Sequence, residues 1–448
     1  MKKTLSVFLT VTMMAAALAA CGGTSDNKGG SAANGNKPAD GGKKEEKVEI
    51  SLWHNFTGDD QRAVTMREII TEFEKANPDI TLDIQAIPPD GYKTRLKTVA
   101  AANEMPDVFI MWPGAMTQEF ASGGLIQPVN DLLDANKEWT DGFIDNAFGG
   151  FTIDDSIYSA PMSLTPTSIL YYNKSILDDN GLSVPKTWDE LMNAIEVLKA
   201  KDITPIALGN KAAWVAQSSI FSSLADRVTG SEWFLKASKQ DGASFTDPEF
   251  VDALNYMKQL GDAGAFQEGF NAIDHTQMEM MFAQGQSAMM IDGGWALTQL
   301  AANASEEAIA QMGATVLPSI PGGKGEANAL AGVVGVGLGL GKDATGSKKD
   351  AAHKLILAMS GPEAQKRTLE SNQLVSYDLE IDTSKVTPIF AEVYNLVNSV
   401  QLTPVYDGVL TSAGADAVNN GLQELLMGGD PAAIAKKIQD AQAKALAQ

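Results

Sequence analysis

The sequence predicts an α/β protein whose strands pair in parallel and whose helices cover the sheet. The first observation is a β-α-β unit. Val48, Ile50 and Leu52 alternate with Glu49 and Ser51, the pattern of a half-buried strand. Met66, Ile69, Ile70 and Phe73 follow at the i, i+3, i+4, i+7 spacing of an amphipathic helix, and Asn77-Pro78 stops it. Ile80, Leu82 and Ile84 then alternate again. Two such strands joined by a helix imply a parallel sheet with helices on its faces. The second observation is that the same style recurs later in the chain. The third is size: 448 residues give two or three folding units at ~150 residues each. A hydrophobic content of 44% against 20% charged residues is enough to bury a real core.

The remaining elements follow in order. A helical stretch around residues 92–102 leads through Pro106-Asp107 into the apolar strand 108–111, which ends at Trp112-Pro113-Gly114. Thr187-Trp188-Asp189-Glu190 is a capping box that opens a helix carrying Leu191, Ile195 and Leu198 on one face. Ile206-Ala207-Leu208 is strand-like. Asp247-Pro248 opens another helix, closed by Gly261. Val334, Val336, Leu338 and Leu340 alternate with Gly335, Gly337 and Gly339, which reads as a strand with one bare face against which something packs closely.

The first twenty residues read as an address. Lys2 and Lys3 precede an uncharged stretch from 5 to 20, short for a spanning helix and matching the charged and apolar regions of a secretory signal. It ends Leu18-Ala19-Ala20-Cys21-Gly22, which looks like a bacterial lipobox; the competing reading is an ordinary signal peptide with an incidental cysteine. Cys21 would carry lipid and become the first residue of the mature chain. Residues 22–47 hold no aromatic or large aliphatic side chain, so a disordered tether is expected there. The folded part is then expected on the extracellular face of the cell membrane, held by its lipid alone.

Charge and motifs exclude several functions. Lys plus Arg number 34 against 56 Asp plus Glu, a formal charge of −22. Nucleic-acid binding needs clustered cations and has no support. One cysteine and three scattered histidines, at 54, 275 and 353, argue against a Cys- or His-built metal site. No glycine pattern for nucleotide phosphates and no G-x-S-x-G or H-E-x-x-H occurs, so neither cofactor nor catalytic residue is expected.

Four of the seven tryptophans stand instead at the ends of strands. Trp53 and Trp112 follow apolar strands, Trp214 follows Ile206-Ala207-Leu208 and the turn at Gly209-Asn210, and Trp295 follows 288–294. Ligands of open α/β sheets sit outside the carboxyl ends of the strands. Flat indoles beside Asp, Asn and His suit a sugar, whose axial C–H face lies on a ring while its hydroxyls take hydrogen bonds.

The order of these blocks resembles the extracellular solute-binding proteins of carbohydrate ABC importers, the group that includes maltose-binding protein. The matching blocks are VEISLWHNF, ITEFEKANPDITLDI, YKTRLKTVAAANEMPDVFIMW, GGLIQPVNDLL, IYSAPMSLTPTSILYYNKSIL, PKTWDELMNAIEVLKAKDITPIALGN and FAQGQSAMMIDGGWAL. The resemblance covers residues 48–445. It implies a two-lobed periplasmic-binding-protein fold, type II-like, with the ligand cleft between lobes: residues 48–160 plus 335–378 form the first lobe, 161–334 plus 379–448 the second. It implies binding roles for Trp53, His54 and Asn55 in the first loop, for Trp112 and Gly114, for Trp214 and Trp295 as platforms, for Asp292 as a hydroxyl acceptor, and for Tyr406 and Asp407 as late residues closing the site. Tyr172, Asp107, Trp188 and Gly285 are expected to be structural. The first loop has His54-Asn55 where maltose-binding protein has charges, which argues against maltose itself.

The implied function is capture of a sugar, expected to be an oligosaccharide because of the four tryptophans, by a monomer that hands it to the permease subunits of the importer. Two alternatives stand beside it: a carrier of another solute such as ferric iron, for which Tyr171-Tyr172 would supply phenolates, and an anchored carbohydrate-active enzyme.

Overall fold

The computed structural model describes residues 47–447. The chain divides into units of 1–45 and 46–448, and the described residues fall in the second. The expected signal peptide, Cys21 with its expected lipid, and nearly all of the expected tether lie outside the described residues.

The predicted β-α-β unit is present: strand β1 is Val48–His54, helix α1 Gln61–Ala76 and strand β2 Ile80–Ala86. Helix α1 buries Met66, Ile69, Ile70 and Phe73, the side chains that its spacing placed on one face. Helix α2, Pro89–Ala101, follows, then strand β3, Val108–Met111, which is buried on both faces. Strand β1 pairs in parallel with both β2 and β3. Ser51 tightens that centre: its backbone N–H and Oγ both donate to Asp107 Oδ2, at 2.8 and 3.0 Å, so Asp107 is structural as expected.

The glycine-rich stretch departs from the simple expectation. It is two strands, Ala329–Val334 and Gly337–Gly341, and they belong to different sheets. Gly337–Gly341 runs antiparallel to β3 and to the strand Ser159–Pro161 in the six-stranded first sheet. Ala329–Val334 pairs with Leu164–Pro166 and Gln401–Thr403 in a separate three-stranded sheet. The glycines do serve close packing: a Cβ at Gly335 would meet Thr165 Oγ1 at 2.1 Å, and one at Gly337 would meet Ser159 Oγ at 2.3 Å.

The other large sheet has four strands in the order Thr204–Ala207, Ser287–Asp292, Ile169–Asn173, Met312–Thr315. Only the first pair is parallel; Ile169–Asn173 is antiparallel to both neighbours. The all-parallel expectation fails in both large sheets for one reason. Strands that enter from the crossing region arrive from the opposite direction to those built by local β-α-β units.

Each large sheet has its own hydrophobic core. One gathers Ile50, Leu52, Phe109, Leu338 and Leu355. The other gathers Tyr171, Ile206, Met289, Phe250 and Leu422, and it also takes Leu369, Leu374 and Val375. The molecule is therefore two-lobed. The helix Trp188–Lys199 starts with the predicted capping box, Glu190 N–H donating to Thr187 Oγ1 while Thr187 N–H donates to Glu190 Oε2. Trp188 is buried behind it and donates to Gln259 Oε1 at 3.0 Å. Among the described residues, no helix is long and apolar enough to cross a membrane.

Candidate ligand-binding cleft

Strand β1 ends at the cleft, and its last residues have different fates. Trp53 is half-buried, with the Arg95 guanidinium 5.7 Å from the centre of its ring. Its carbonyl accepts from Tyr92 Oη at 3.0 Å, which ties β1 to α2. His54 is turned inward and only 2% exposed; its Nδ1 accepts from the Phe56 N–H at 3.1 Å. Burial, helped by the positive charge of Arg67, lowers its pKa to about 4, so the ring is a neutral turn-former. This corrects its expected role as a ligand contact: a side chain at that register points into the sheet's core. Asn55 keeps a buried Oδ1 with no partner.

Around Trp112 the two lobes touch. Lys93 Nζ lies 4.6 Å from the centre of the Trp112 ring and 2.7 Å from Asp407 Oδ2 on the other lobe. Gly114, at φ +75°, caps the helix Ala115–Ser122, and a Cβ there would lie 1.9 Å from the Gly408 carbonyl oxygen. Only glycine tolerates both the backbone conformation and that approach. Farther out, Ser412 Oγ donates to Glu119 at 2.5 Å.

A second line of contact runs through Trp214 and Trp295. Trp214 Nε1 donates across the cleft to Asp90 Oδ1 at 3.2 Å, and Gln299 Nε2 donates to Asp60 Oδ2 at 3.1 Å. The Trp214 ring stands edge-on to His275, at 4.9 Å between centroids, and to Trp295, at 5.8 Å. Trp214 leads into residues Ala216–Phe221, wound as a π-helix, a form that often marks functional positions.

Beneath these rings lies a buried cluster. Asp292, fully buried at the end of its strand, accepts from Ser219 Oγ at 3.0 Å, His275 Nε2 at 2.8 Å and Trp295 Nε1 at 3.0 Å. With no exposed surface, it does not reach a sugar hydroxyl in this arrangement. The expectation of a hydroxyl acceptor is corrected: Asp292 anchors Trp295. Glu279 Oε1 lies 3.6 Å from His275 Nε2. Burial alone would lower the His275 pKa, but Asp292 and Glu279 outweigh it and raise it to about 10. Burial first, then Asp292, pushes the Glu279 carboxyl up to about 8, against the pull of His275. Near neutral pH the imidazole is therefore charged, its Nε2–H donates to Asp292, and the Trp295 N–H is left to Asp292 Oδ1. His275, Glu279 and Asp292 also lie close enough to hold a metal ion; in this structure His275 is hydrogen-bonded to Asp292 and lies 3.6 Å from Glu279.

Tyr406 is also corrected. It is 1% exposed, stacked on Phe234 at 3.9 Å and packed edge-on against Phe221. Its neighbour Asp407 reaches the cleft while its own ring fills the core. The paired tyrosines are separated by the strand pleat. Tyr171 is buried on one face with its Oη donating to the Gly293 carbonyl, and Tyr172 packs over Gly313 on the other. One iron could not take both phenolates.

The structure thus brings Trp112, Gly114 and Asp407 together, and Trp214, Asp292 and Trp295 together, while Trp53 joins through α2. Sequence reasoning missed Asp60, Asp90, Lys93, His275 and Glu279. The only signal for the last two was their i, i+4 spacing, which puts them on one helix face.

Residues 59–366 match the family of bacterial extracellular solute-binding proteins. The chain belongs to that family. The multiple sugar-binding protein of Streptococcus mutans is 28% identical over 58% of this chain and 61% of its own length. The diacetylchitobiose-binding protein DasA of Streptomyces coelicolor is 25% identical over 95% of this chain and 99% of its own. Among solved structures, a chitin oligosaccharide binding protein superposes with a TM-score of 0.82 and 26% identity, over 90% of this solute-binding protein and 100% of that chain. A protein from work on xylan utilization by Caldanaerobius polysaccharolyticus gives 0.79 and 27%, over 88% and 99%.

Proposed function

We propose that this solute-binding protein captures an oligosaccharide between its lobes and delivers it to the permease subunits of an ABC importer, acting without catalysis, as a monomer anchored through lipid on Cys21. The observation that carries the reading is the Trp214–Trp295 pair, held rigid by Asp292 and His275 and facing Asp60 and Asp90 of the other lobe. A sugar needs that pairing of flat apolar faces with acceptors that can exchange their present partners for hydroxyls. Relatives named for sugar, chitobiose and chitin-oligosaccharide binding support the class. Trp53, Trp112, Trp214, Trp295 and Asp407, with Asp60 and Asp90 added, are the residues we assign to the cleft.

The lobes are proposed as residues 48–160 plus 335–378 and 161–334 plus 379–448. In support, strand pairing changes sheets between Pro161 and Leu164 and between Val334 and Gly337. Leu374 and Val375 pack in the second core, so the third crossing is drawn back toward the helix Pro362–Glu370.

A thermal-shift screen against neutral mono- and oligosaccharides, with ferric citrate beside them, tests the reading. A ligand that binds only the native state, at 100 times its Kd, adds about 2.7 kcal/mol. A saturable shift with one class of oligosaccharide is expected; a response to iron alone would overturn it.

A further inference from the structure

The titratable groups beneath Trp295 come from one short unit of chain. The helix His275–Ala283 carries His275 and Glu279 one turn apart on the same face, and the strand Ser287–Asp292 returns beside it to end at Asp292. His275 Nε2, one Glu279 oxygen and one Asp292 oxygen all lie within 4.8 Å of one another. The three side chains are buried, with exposures of 7%, 2% and 0%.

Glu279 is the member that local hydrogen bonding does not explain. Among the described residues nothing donates to its carboxylate: His275 Nε2, at 3.6 Å, stands beyond hydrogen-bond range. A buried carboxylate without a donor is costly, and this one is held beside a second, Asp292. Protons on His275 and Glu279 relieve the charge, but they leave Glu279 without a partner. A dication does both.

We propose that His275, Glu279 and Asp292 bind a divalent transition metal of the zinc class, through His275 Nε2 and one oxygen of each carboxylate. A tetrahedral zinc with bonds of about 2.0–2.2 Å holds its ligands about 3.3 Å apart. The separations from His275 Nε2, 2.8 Å to Asp292 and 3.6 Å to Glu279, bracket that distance. One imidazole nitrogen and two carboxylates are ligands of zinc, whereas calcium takes about six to eight oxygens. The outer shell is also in place. Ser219 Oγ and Trp295 Nε1 both donate to Asp292 Oδ1 at 3.0 Å, which turns Oδ2 toward His275 and the metal. With three protein ligands, the fourth position falls to water. Binding releases the protons that His275 and Glu279 otherwise hold.

Cobalt(II) is the probe, because tetrahedral cobalt absorbs visible light and zinc does not. The chain, freed of metal by a chelator, is titrated with cobalt, which zinc then displaces; no sugar is present, so the outcome is independent of the reading of the cleft. The expected result is one displaceable cobalt per chain with tetrahedral bands. The absence of a sulfur charge-transfer band sets it apart from binding at Cys21. Affinity should fall at least about ten-fold in Glu279→Gln, no less than the loss of an outer-shell partner costs. It should be unchanged in His353→Gln, which removes the imidazole 3.8 Å from Asp131. Thermal melts report whether each variant folds, and the wild-type spectrum stands without either. No zinc-displaceable cobalt bands, or wild-type affinity in Glu279→Gln, would overturn the proposal.

Discussion

At the scale of single residues, the aromatic rings divide into those that stand where the lobes meet and those that fill the core. Tyr406 belongs to the core, and its buried Oη has no partner. An unsatisfied buried hydroxyl costs about 1–3 kcal/mol. Tyr406→Phe is therefore expected to leave ligand affinity unchanged and melting temperature equal or higher; a marked loss of affinity would return Tyr406 to the site. The His275 cluster predicts a pH dependence. His275 rises from 6.5 to about 10 and Glu279 from 4.5 to about 8, so the native state holds more protons than the unfolded chain. The stability they contribute is complete below their unfolded values and is lost as pH climbs through the folded ones. The groups that face them are Asp292 beneath and Asp60 and Asp90 across the cleft. Melting temperature should fall as pH rises from about 5 to 10. Glu279→Gln should flatten the lower part of that fall, which a series of thermal melts will read.

Among the structural elements, closure is made by helix α2 and by the turn at Gly114. Lys93 reaches Asp407, but both side chains are partly exposed, 35% and 20%, so the pair contributes about 1 kcal/mol or less. Lys93→Met or Asp407→Asn should weaken affinity by no more than about five-fold, less at high salt, in titrations at two ionic strengths. Gly114→Ala is predicted to be far worse, because its Cβ would strike the Gly408 carbonyl only when the lobes meet. It should reduce affinity at least ten-fold and also lower the unliganded melting temperature, since alanine is strained at φ +75°; a lowered melting temperature with unchanged affinity would remove the turn from closure. These elements also show what was legible in advance. Periodicity found α1, β1, β2 and β3, because local amphipathic pattern and burial agree there. The break at residues 335–336 was not legible: the alternation of Val and Gly runs straight through it, and only the long-range partners differ.

Across the whole molecule, two lobes with separate cores are joined by strands that change sheets. Such a joint allows hinge closure, and the ligand sets the closed population only through contacts it makes better in the closed state. The tryptophans at strand ends stood out in the sequence, and the fold sets Trp112, Trp214 and Trp295 beside contacts between the lobes. The acids opposite them did not stand out. Asp60 accepts from Ala63 N–H as an ordinary helix cap, and Asp90 looks like a first-turn acid, so each reads as helix chemistry until the lobes are set face to face. Asp292 misled for the opposite reason: it stands at the end of its strand, as expected, but is fully buried and holds Ser219, His275 and Trp295.

The most direct test of sugar capture between the lobes is calorimetric titration of the wild-type protein and of Trp214→Ala with the oligosaccharide that gives the largest thermal shift. One site per chain is predicted, with affinity reduced about ten-fold or more when the indole is lost, as removal of a stacking face and its packing requires. Wild-type affinity in Trp214→Ala, or no heat from any oligosaccharide, would contradict the account.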